Sequence, residues 1–308
     1  MPTKGSRSIN LGKLTWLDIQ DPEPRLLHKI AQEHGFHELD IEDCLSDNQR
    51  SKIDEYDDYL FIILHIAYYD KRKQRVISEE IDIFIKNNML ITVHWGSIKP
   101  LTDLFDKAKS SAALRKEIMS HGSGFLLYEV IDHLYSSAFP MLDTIERNLT
   151  SLERDVFSLN QKRDMLKDIL NLKKNIIGFR RIIAPQRSVI AQIEHKNKKF
   201  LPHTLEIYFD DVVDKIEKIW STLENHKELV ESLQDTNESI ISHTTNNVIK
   251  ILTVFSVVML PLTFLTGLYG MNVSLPAAES NSVFMVIVVI MVVTVASMLG
   301  FFRYKRWI

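Results

Sequence analysis

Tyr269-Gly270-Met271-Asn272 interrupts an apolar run that carries, from Ile251 to Phe302, the single charge of Glu279. The backbone carbonyls of Gly270 and Met271 and the side-chain amide of Asn272 are neutral oxygen acceptors. Glycine permits the close turn that presents them. Leu252 to Asn272 contains no cysteine, histidine or carboxylate, so tight binding of a transition metal is not expected there. Elsewhere the chain offers no nucleophile elbow, P-loop or HExxH sequence. His34-x-x-His37 has metal-ligand spacing but lacks a third ligand, and reads as structural. The lone Cys44 excludes a disulfide framework and a CxxC redox pair, and suits a reducing compartment.

An oxygen-bearing turn of this kind has to be held by the elements around it. A membrane-spanning helix needs about 20 mostly apolar residues, and Val283 to Phe302 supplies them without a charge. The preceding segment, Ile251 to Leu268, is as apolar but includes Pro261, Thr263, Thr266 and Gly267. Such residues suit a span packed against others or facing a wet path. Lys250 flanks the first span, Arg303, Lys305 and Arg306 follow the second, and the loop between has no Lys or Arg. The positive-inside rule then puts both termini in the cytoplasm and the Gly270-Met271-Asn272 turn outside. The opening Met-Pro-Thr-Lys-Gly-Ser-Arg has no apolar stretch, so no signal peptide is expected. A net charge of -3 over 308 residues gives no reason to expect nucleic acid.

Upstream, residues 14 to 95 read as a mixed α/β region. Thr15 to Asp18, Tyr59 to Tyr68, Ile81 to Ile85 and Met89 to His94 have strand character, Asn87-Asn88 marks a hairpin, and Pro24 to His34 reads as a helix. Leu114 to Leu159 and Asp164 to Glu194 repeat apolar residues at helical spacing and predict an antiparallel pair. A further helical pattern runs through Phe209, Val212, Ile216, Ile219 and Leu223, with neither Gly nor Pro from Thr204 until Pro261. A helix over 204–268 would be roughly 95 Å long. One copy cannot bury such a stripe, and two spans cannot enclose a water-filled path. A ring of copies with the first span innermost solves both problems; a dimeric coiled coil is the simpler alternative.

Lys250 to Asn272, KILTVFSVVMLPLTFLTGLYGMN, closely resembles the pore helix and signature loop of the CorA family of magnesium transporters. The likeness extends to LDIEDCL (39–45), YLFIILH (59–65) and YFDDVVD (208–214), and so covers nearly the whole chain. The resemblance implies an α+β cytosolic domain followed by long helices and two C-terminal transmembrane helices, assembled as a funnel-shaped homopentamer in the inner or plasma membrane. The corresponding parts would be an α/β domain (1–110), an antiparallel helical pair (111–203) and a stalk helix continuing into the first span (204–268). A signature loop (269–282), a second span (283–302) and a basic tail (303–308) would follow. The expected activity is passage of a divalent cation down its electrochemical gradient, without catalysis or an organic cofactor.

The same resemblance implies residue roles. Gly270, Met271 and Asn272 would form the selective entrance, recognising Mg²⁺ through its water shell. Thr263 and Asn246 match polar rings of the pore, and Ile249, Leu252 and Leu260 match its hydrophobic gate. Asp43 and Asp211 match a pair that binds regulatory Mg²⁺ between neighbouring subunits, and Glu42 and Asp132 match a second site. Read without the resemblance, Asp211 belongs to a solvated acidic helix face. The loop departs from the usual Met-Pro-Glu-Leu: Val273-Ser274-Leu275-Pro276-Ala277-Ala278-Glu279 keeps one carboxylate. Mg²⁺, Co²⁺, Ni²⁺ and Zn²⁺, with or without proton coupling, therefore stay open. A tail-anchored enzyme and a two-span receptor with a cytosolic coiled coil are the competing classes.

Overall fold

Leu60 to Leu64 is apolar at every position, as a strand covered on both faces must be. The structure, a computed structural model, buries all five of these residues. It describes residues 5–46, 49–70, 72–96, 98–158, 165–196, 201–271 and 281–307. The chain divides into two units, Met1–Gln234 and Asp235–Ile308.

The first unit contains a six-stranded sheet of β1 (Ser6–Leu11), β2 (Leu14–Gln20), β3 (Lys52–Glu55), β4 (Leu60–Asp70), β5 (Arg75–Lys86) and β6 (Met89–His94), in the order β1-β2-β6-β5-β4-β3. Only the β2–β6 pairing is parallel; the others are antiparallel. Asn87, at φ 47°, turns β5 into β6 opposite the Lys86–Met89 pair, a left-handed conformation that asparagine tolerates. Helices α1 (Pro24–His34) and α2 (Glu38–Leu45) lie in the connection from β2 to β3. One face of the sheet buries Phe61, Ile63, Phe84, Ile91 and Val93 together with Leu27, Ile30, Phe36, Ile41 and Cys44 from this connection.

After the sheet come α3 (Lys99–Ser110), α4 (Ala112–Met119), α5 (Ser123–Ser136), α6 (Phe139–Phe157) and α7 (Met165–Lys196). The continuous helix expected over Leu114–Leu159 is in fact three helices. Gly122, at φ 94°, separates α4 from α5. Pro140, which lacks an N–H and is tolerated only in a first turn, opens α6 after the break at Ser137-Ala138. Apolar spacing persists across both breaks because all three segments bury one side, which hides the punctuation.

Helix α7 closes the exposed edges of the sheet. Strand β4 runs beyond β3, and the buried amide of Gln186 donates to His65 O at 2.8 Å while its oxygen accepts His65 N–H at 3.0 Å. Strand β5 begins beyond the end of β6, and Asn175 accepts Val76 N–H at 2.8 Å. Side-chain amides thus satisfy backbone groups that no strand pairs.

Helix α8 (Glu206–Tyr269) contributes its first part to this unit and the remainder to the second. The second unit also contains α9 (Asn281–Tyr304). Both α8 and α9 are long and apolar enough to cross a membrane.

Candidate ion pathway and cation sensor

Within the second unit, α8 has two unlike sides. At 100° per residue, Asn246, Ile249, Leu252, Leu260 and Thr263 fall within roughly a 120° arc. All five are exposed, with Leu260 at 70%, Leu252 at 62% and Ile249 at 55% of their surface open. The opposite side contains buried Val254 and half-buried Lys250, Val258, Pro261 and Leu265. Lys250 Nζ donates to Arg306 O at 3.0 Å, tying this side to the residues that end α9. Exposure extends beyond this arc, with Ile251 at 68% and Phe255 at 63%, so the helix is covered only along a narrow strip and its remaining apolar surface is suited to pack against further copies or to line a path between them.

Two polar groups on or near that side carry chemistry. Thr263 Oγ1 donates to Met259 O at 2.9 Å, so its hydrogen is used within the helix and its lone pairs face outward as acceptors. Asn246 is exposed. At the end of α8, Gly270 N–H donates to Thr266 O at 2.9 Å, and a Cβ built on Gly270 would lie 2.9 Å from the same oxygen. No side chain fits there, so this glycine is required for the chain to leave the helix this closely. Met271 follows, exposed, with its N–H directed to Leu268 O. Asn272 and the loop through Ser280 lie outside the described residues.

In the first unit, the sensor candidates form two clusters. Asp132 on α5 and Asp211 on α8 flank one ammonium: Lys215 Nζ bonds Asp132 Oδ1 and Ser136 Oγ and lies 3.8 Å from Asp211 Oδ2. Glu129 and Tyr128 stand beside them. Burial, then the charges of Asp132 and Glu117, raise the Glu129 carboxyl above its ordinary range. Burial and neighbouring carboxylates, Asp132 foremost, push the Tyr128 phenol up to about 12. Several carboxylates thus crowd around the single ammonium of Lys215.

Asp43 sits on α2 with Glu42, which is exposed. Lys52 Nζ is 2.7 Å from Asp43 Oδ2 and 2.6 Å from Asp54 Oδ2. Burial alone would lower this lysine, but hydrogen bonds to Asp43 and Asp54 hold its ammonium well above the usual range. Within one chain the structure joins Asp132 with Asp211 through Lys215, Glu42 is simply the residue before Asp43 on α2, and no described contact links the two clusters.

Helix α2 has too few residues to hold its shape alone. It is fixed from below by Asp40, whose carboxylate accepts Tyr56 O–H at 2.9 Å and Tyr59 O–H at 2.6 Å. The His37 N–H donates to the Tyr59 oxygen, and His37 Nδ1 accepts Leu39 N–H at the start of α2. His37 is thus a helix cap, as its structural reading required. Among the described residues, no group of three His, Cys, Asp or Glu side chains is placed to hold a metal within one chain. The donor set nonetheless suits a divalent cation: hard carboxylate oxygens that already surround a positive charge in each cluster.

Sequence reading overlooked Lys52, Lys215 and the two anchoring tyrosines. Lys215 was legible, standing four residues beyond Asp211 on a helix. Lys52 was not, because only the fold brings β3 beside α2.

The molecule's likeness to known proteins covers the whole of this arrangement. The chain is 28% identical over 297 residues to the "Cobalt/magnesium transport protein CorA" of Thermotoga maritima, covering 96% of this chain and 83% of the relative. It is 26% identical over 300 residues to the protein of the same name from Methanocaldococcus jannaschii, covering 96% and 92%. The solved structure of the complete CorA magnesium transporter from Methanocaldococcus jannaschii superposes with a TM-score of 0.83 at 25% identity, over 97% of this chain and 94% of that one. The family model described as "CorA-like Mg2+ transporter protein" matches residues 12–306. With sheet, long helices and both apolar C-terminal helices inside that match, the chain belongs to the CorA-like Mg²⁺ transporter family, whose members carry divalent cations across membranes.

Proposed function

We propose that this chain forms a homopentameric channel for Mg²⁺ uptake. Each α8 turns Asn246, Ile249, Leu252, Leu260 and Thr263 toward the common axis. The observation that carries this reading is the two-sided character of α8: the side away from Lys250 and Val254 is open and combines exposed aliphatic side chains with outward-facing oxygens. In a ring, Leu252, Leu260 and Ile249 close the path by dewetting, and the hydroxyl and amide rings receive a hydrated cation. Gly270, Met271 and Asn272 recognise that hydrated ion at the outer mouth, with both termini cytoplasmic. Membrane potential drives the ion inward by roughly 4.6 kcal/mol per 100 mV for two charges.

Mg²⁺ is favoured because neutral oxygens that hydrogen-bond its waters bind weakly enough for release, and because the two curated relatives described above are cobalt/magnesium transport proteins. Co²⁺, Ni²⁺ and Zn²⁺ remain substrates to be compared directly, given the single carboxylate of the Val273–Glu279 loop.

Regulation is assigned to the two carboxylate clusters. In a pentamer, Asp43 of one copy faces Asp211 of the next, with Glu42 and Asp132 as a second pair. Each copy alone holds the two clusters apart, so a cation between copies is the link that joins them. Mg²⁺ bound there favours the closed ring, and its loss lets the copies separate and wets the constriction. The combined substitution Asp43→Asn with Asp211→Asn should yield flux that cytosolic Mg²⁺ at millimolar levels no longer inhibits. Wild-type inhibition in that variant would remove the sensor assignment.

A further inference from the structure

We propose that Lys215 and Lys52 are built-in competitors for the sensor carboxylates, and that they set the Mg²⁺ concentration at which the sensor responds. The proposal rests on the sensor reading above and adds to it a pair of residues with a defined role. Lys215 Nζ bonds Asp132 Oδ1 and lies 3.8 Å from Asp211 Oδ2, with Ser136 Oγ at 3.1 Å as a further acceptor. Lys52 Nζ lies 2.7 Å from Asp43 Oδ2 and 2.6 Å from Asp54 Oδ2. Of the four sensor candidates, only the exposed Glu42 is not placed beside one of these ammoniums. The Lys215 side chain is largely withdrawn from solvent, at 19% exposed, and Lys52 is partly so and bonded to two carboxylates, so both are held in place and are not free surface charges.

The chemistry sets the two cations in competition. An ammonium donates N–H groups to carboxylate oxygens; a hydrated Mg²⁺ donates O–H groups of its bound waters to the same oxygens. A divalent ion must therefore displace the lysine or share acceptors with it against charge repulsion. A tethered group acts at an effective concentration on the order of millimolar, so the competitor raises the threshold toward the concentration a cytosolic sensor must read. A displaced Lys215 keeps a local acceptor in Ser136 Oγ, which makes the exchange reversible. Asp43 and Asp211 thus report a divalent cation only once it outcompetes the chain's own cations.

The test uses the full-length protein in detergent, titrated with MgCl₂, with protection from limited proteolysis and calorimetric binding as readouts. Lys215→Met keeps the aliphatic stem and removes the charge, and should lower the Mg²⁺ midpoint roughly fivefold, the factor an ion pair of this kind supplies. Lys215→Arg keeps the cation and should leave the midpoint at the wild-type value or above. Lys218→Met removes a charge that stands over the Phe139 ring and touches none of the sensor carboxylates, and should leave the midpoint unchanged. An unchanged midpoint in Lys215→Met, or equal tightening in Lys215→Arg or Lys218→Met, overturns the competition. If that happens while Asp211→Asn still weakens Mg²⁺ binding, the sensor assignment survives. If Asp43→Asn and Asp211→Asn both leave the titration unmoved, the sensor reading fails and the competition fails with it.

Discussion

Replacing Asp40 with alanine should loosen helix α2 while sparing the sheet beneath it. The carboxylate is 1% exposed and accepts two phenol hydroxyls, those of Tyr56 and Tyr59. Tyr59 is itself buried, so its hydroxyl loses its only described acceptor in the variant, whereas half-buried Tyr56 can turn to water. A buried donor left without a partner costs about 1–3 kcal/mol, and a hydrogen bond to a charged group contributes about 1.5–3 kcal/mol. Part of this is offset because burial holds the Asp40 carboxyl above its ordinary range, a strain that the substitution relieves. The net loss should be about 2 kcal/mol, localised to α2, which corresponds to roughly a 30-fold increase in local opening. Hydrogen exchange on the full-length protein reads this directly: the amides of Glu42 to Leu45 should exchange roughly 30-fold faster, with β4 and β6 unchanged. Because α2 carries Glu42 and Asp43, the Mg²⁺ midpoint should rise in the same variant. Protection of α2 at the wild-type level would refute the argument that the two tyrosines anchor it through Asp40.

Two other perturbations follow from named contacts. Burial, then Glu80, raises the Asp82 carboxyl well above its ordinary value, and Oδ1 has no partner in the fold. A raised carboxyl favours folding most below its unfolded value and loses that contribution as pH climbs through the folded value. Asp82→Asn should therefore gain stability relative to wild type as pH rises above the ordinary carboxylate range, in denaturant titrations at a series of pH values, and a pH-independent difference would contradict this. Trp220 lies between the guanidinium groups of Arg180 and Arg187, each 5.0 Å from its ring, while Arg187 pairs with Glu217 at 2.6 Å. Trp220→Ala should cost about 3 kcal/mol, with Trp220→Phe recovering much of it; a loss confined to a few tenths would show that the α7–α8 contact does not depend on this stack.

Much of this fold could be read directly from residue patterns. The apolar run of β4, the Asn87 turn into β6, the Pro24 start of α1 and the uninterrupted repeat of α8 each carry a local signal that the fold respects. What escaped lacked such a signal. Strand β1 opens Ser-Arg-Ser, and β3 is Lys-Ile-Asp-Glu; both become strands because a neighbour offers an edge, and Arg7 is then fixed by the buried Asp18 at 2.7 Å. The division of the expected Leu114–Leu159 helix was hidden because its apolar repeat continues across Gly122 and Pro140. The Gly270-Met271-Asn272 motif marks where α8 ends, and Gly270 has a steric requirement there that the motif alone does not reveal. Of the two lysines beside the carboxylate clusters, Lys215 could be read from its spacing to Asp211, whereas Lys52 needed the tertiary fold, since it meets Asp43 across the loop from α2 to β3.

The central claim is that identical copies of this chain jointly wall a path for a hydrated divalent cation. Purified protein reconstituted into liposomes, with an interior-negative potential and an entrapped Mg²⁺ indicator, tests it most directly. The account predicts potential-driven Mg²⁺ uptake through a complex of five copies, abolished by Asn272→Ala with the oligomer intact. Vesicles that contain the assembled protein yet stay closed to Mg²⁺, Co²⁺, Ni²⁺ and Zn²⁺ alike, at low and high internal Mg²⁺, would contradict it.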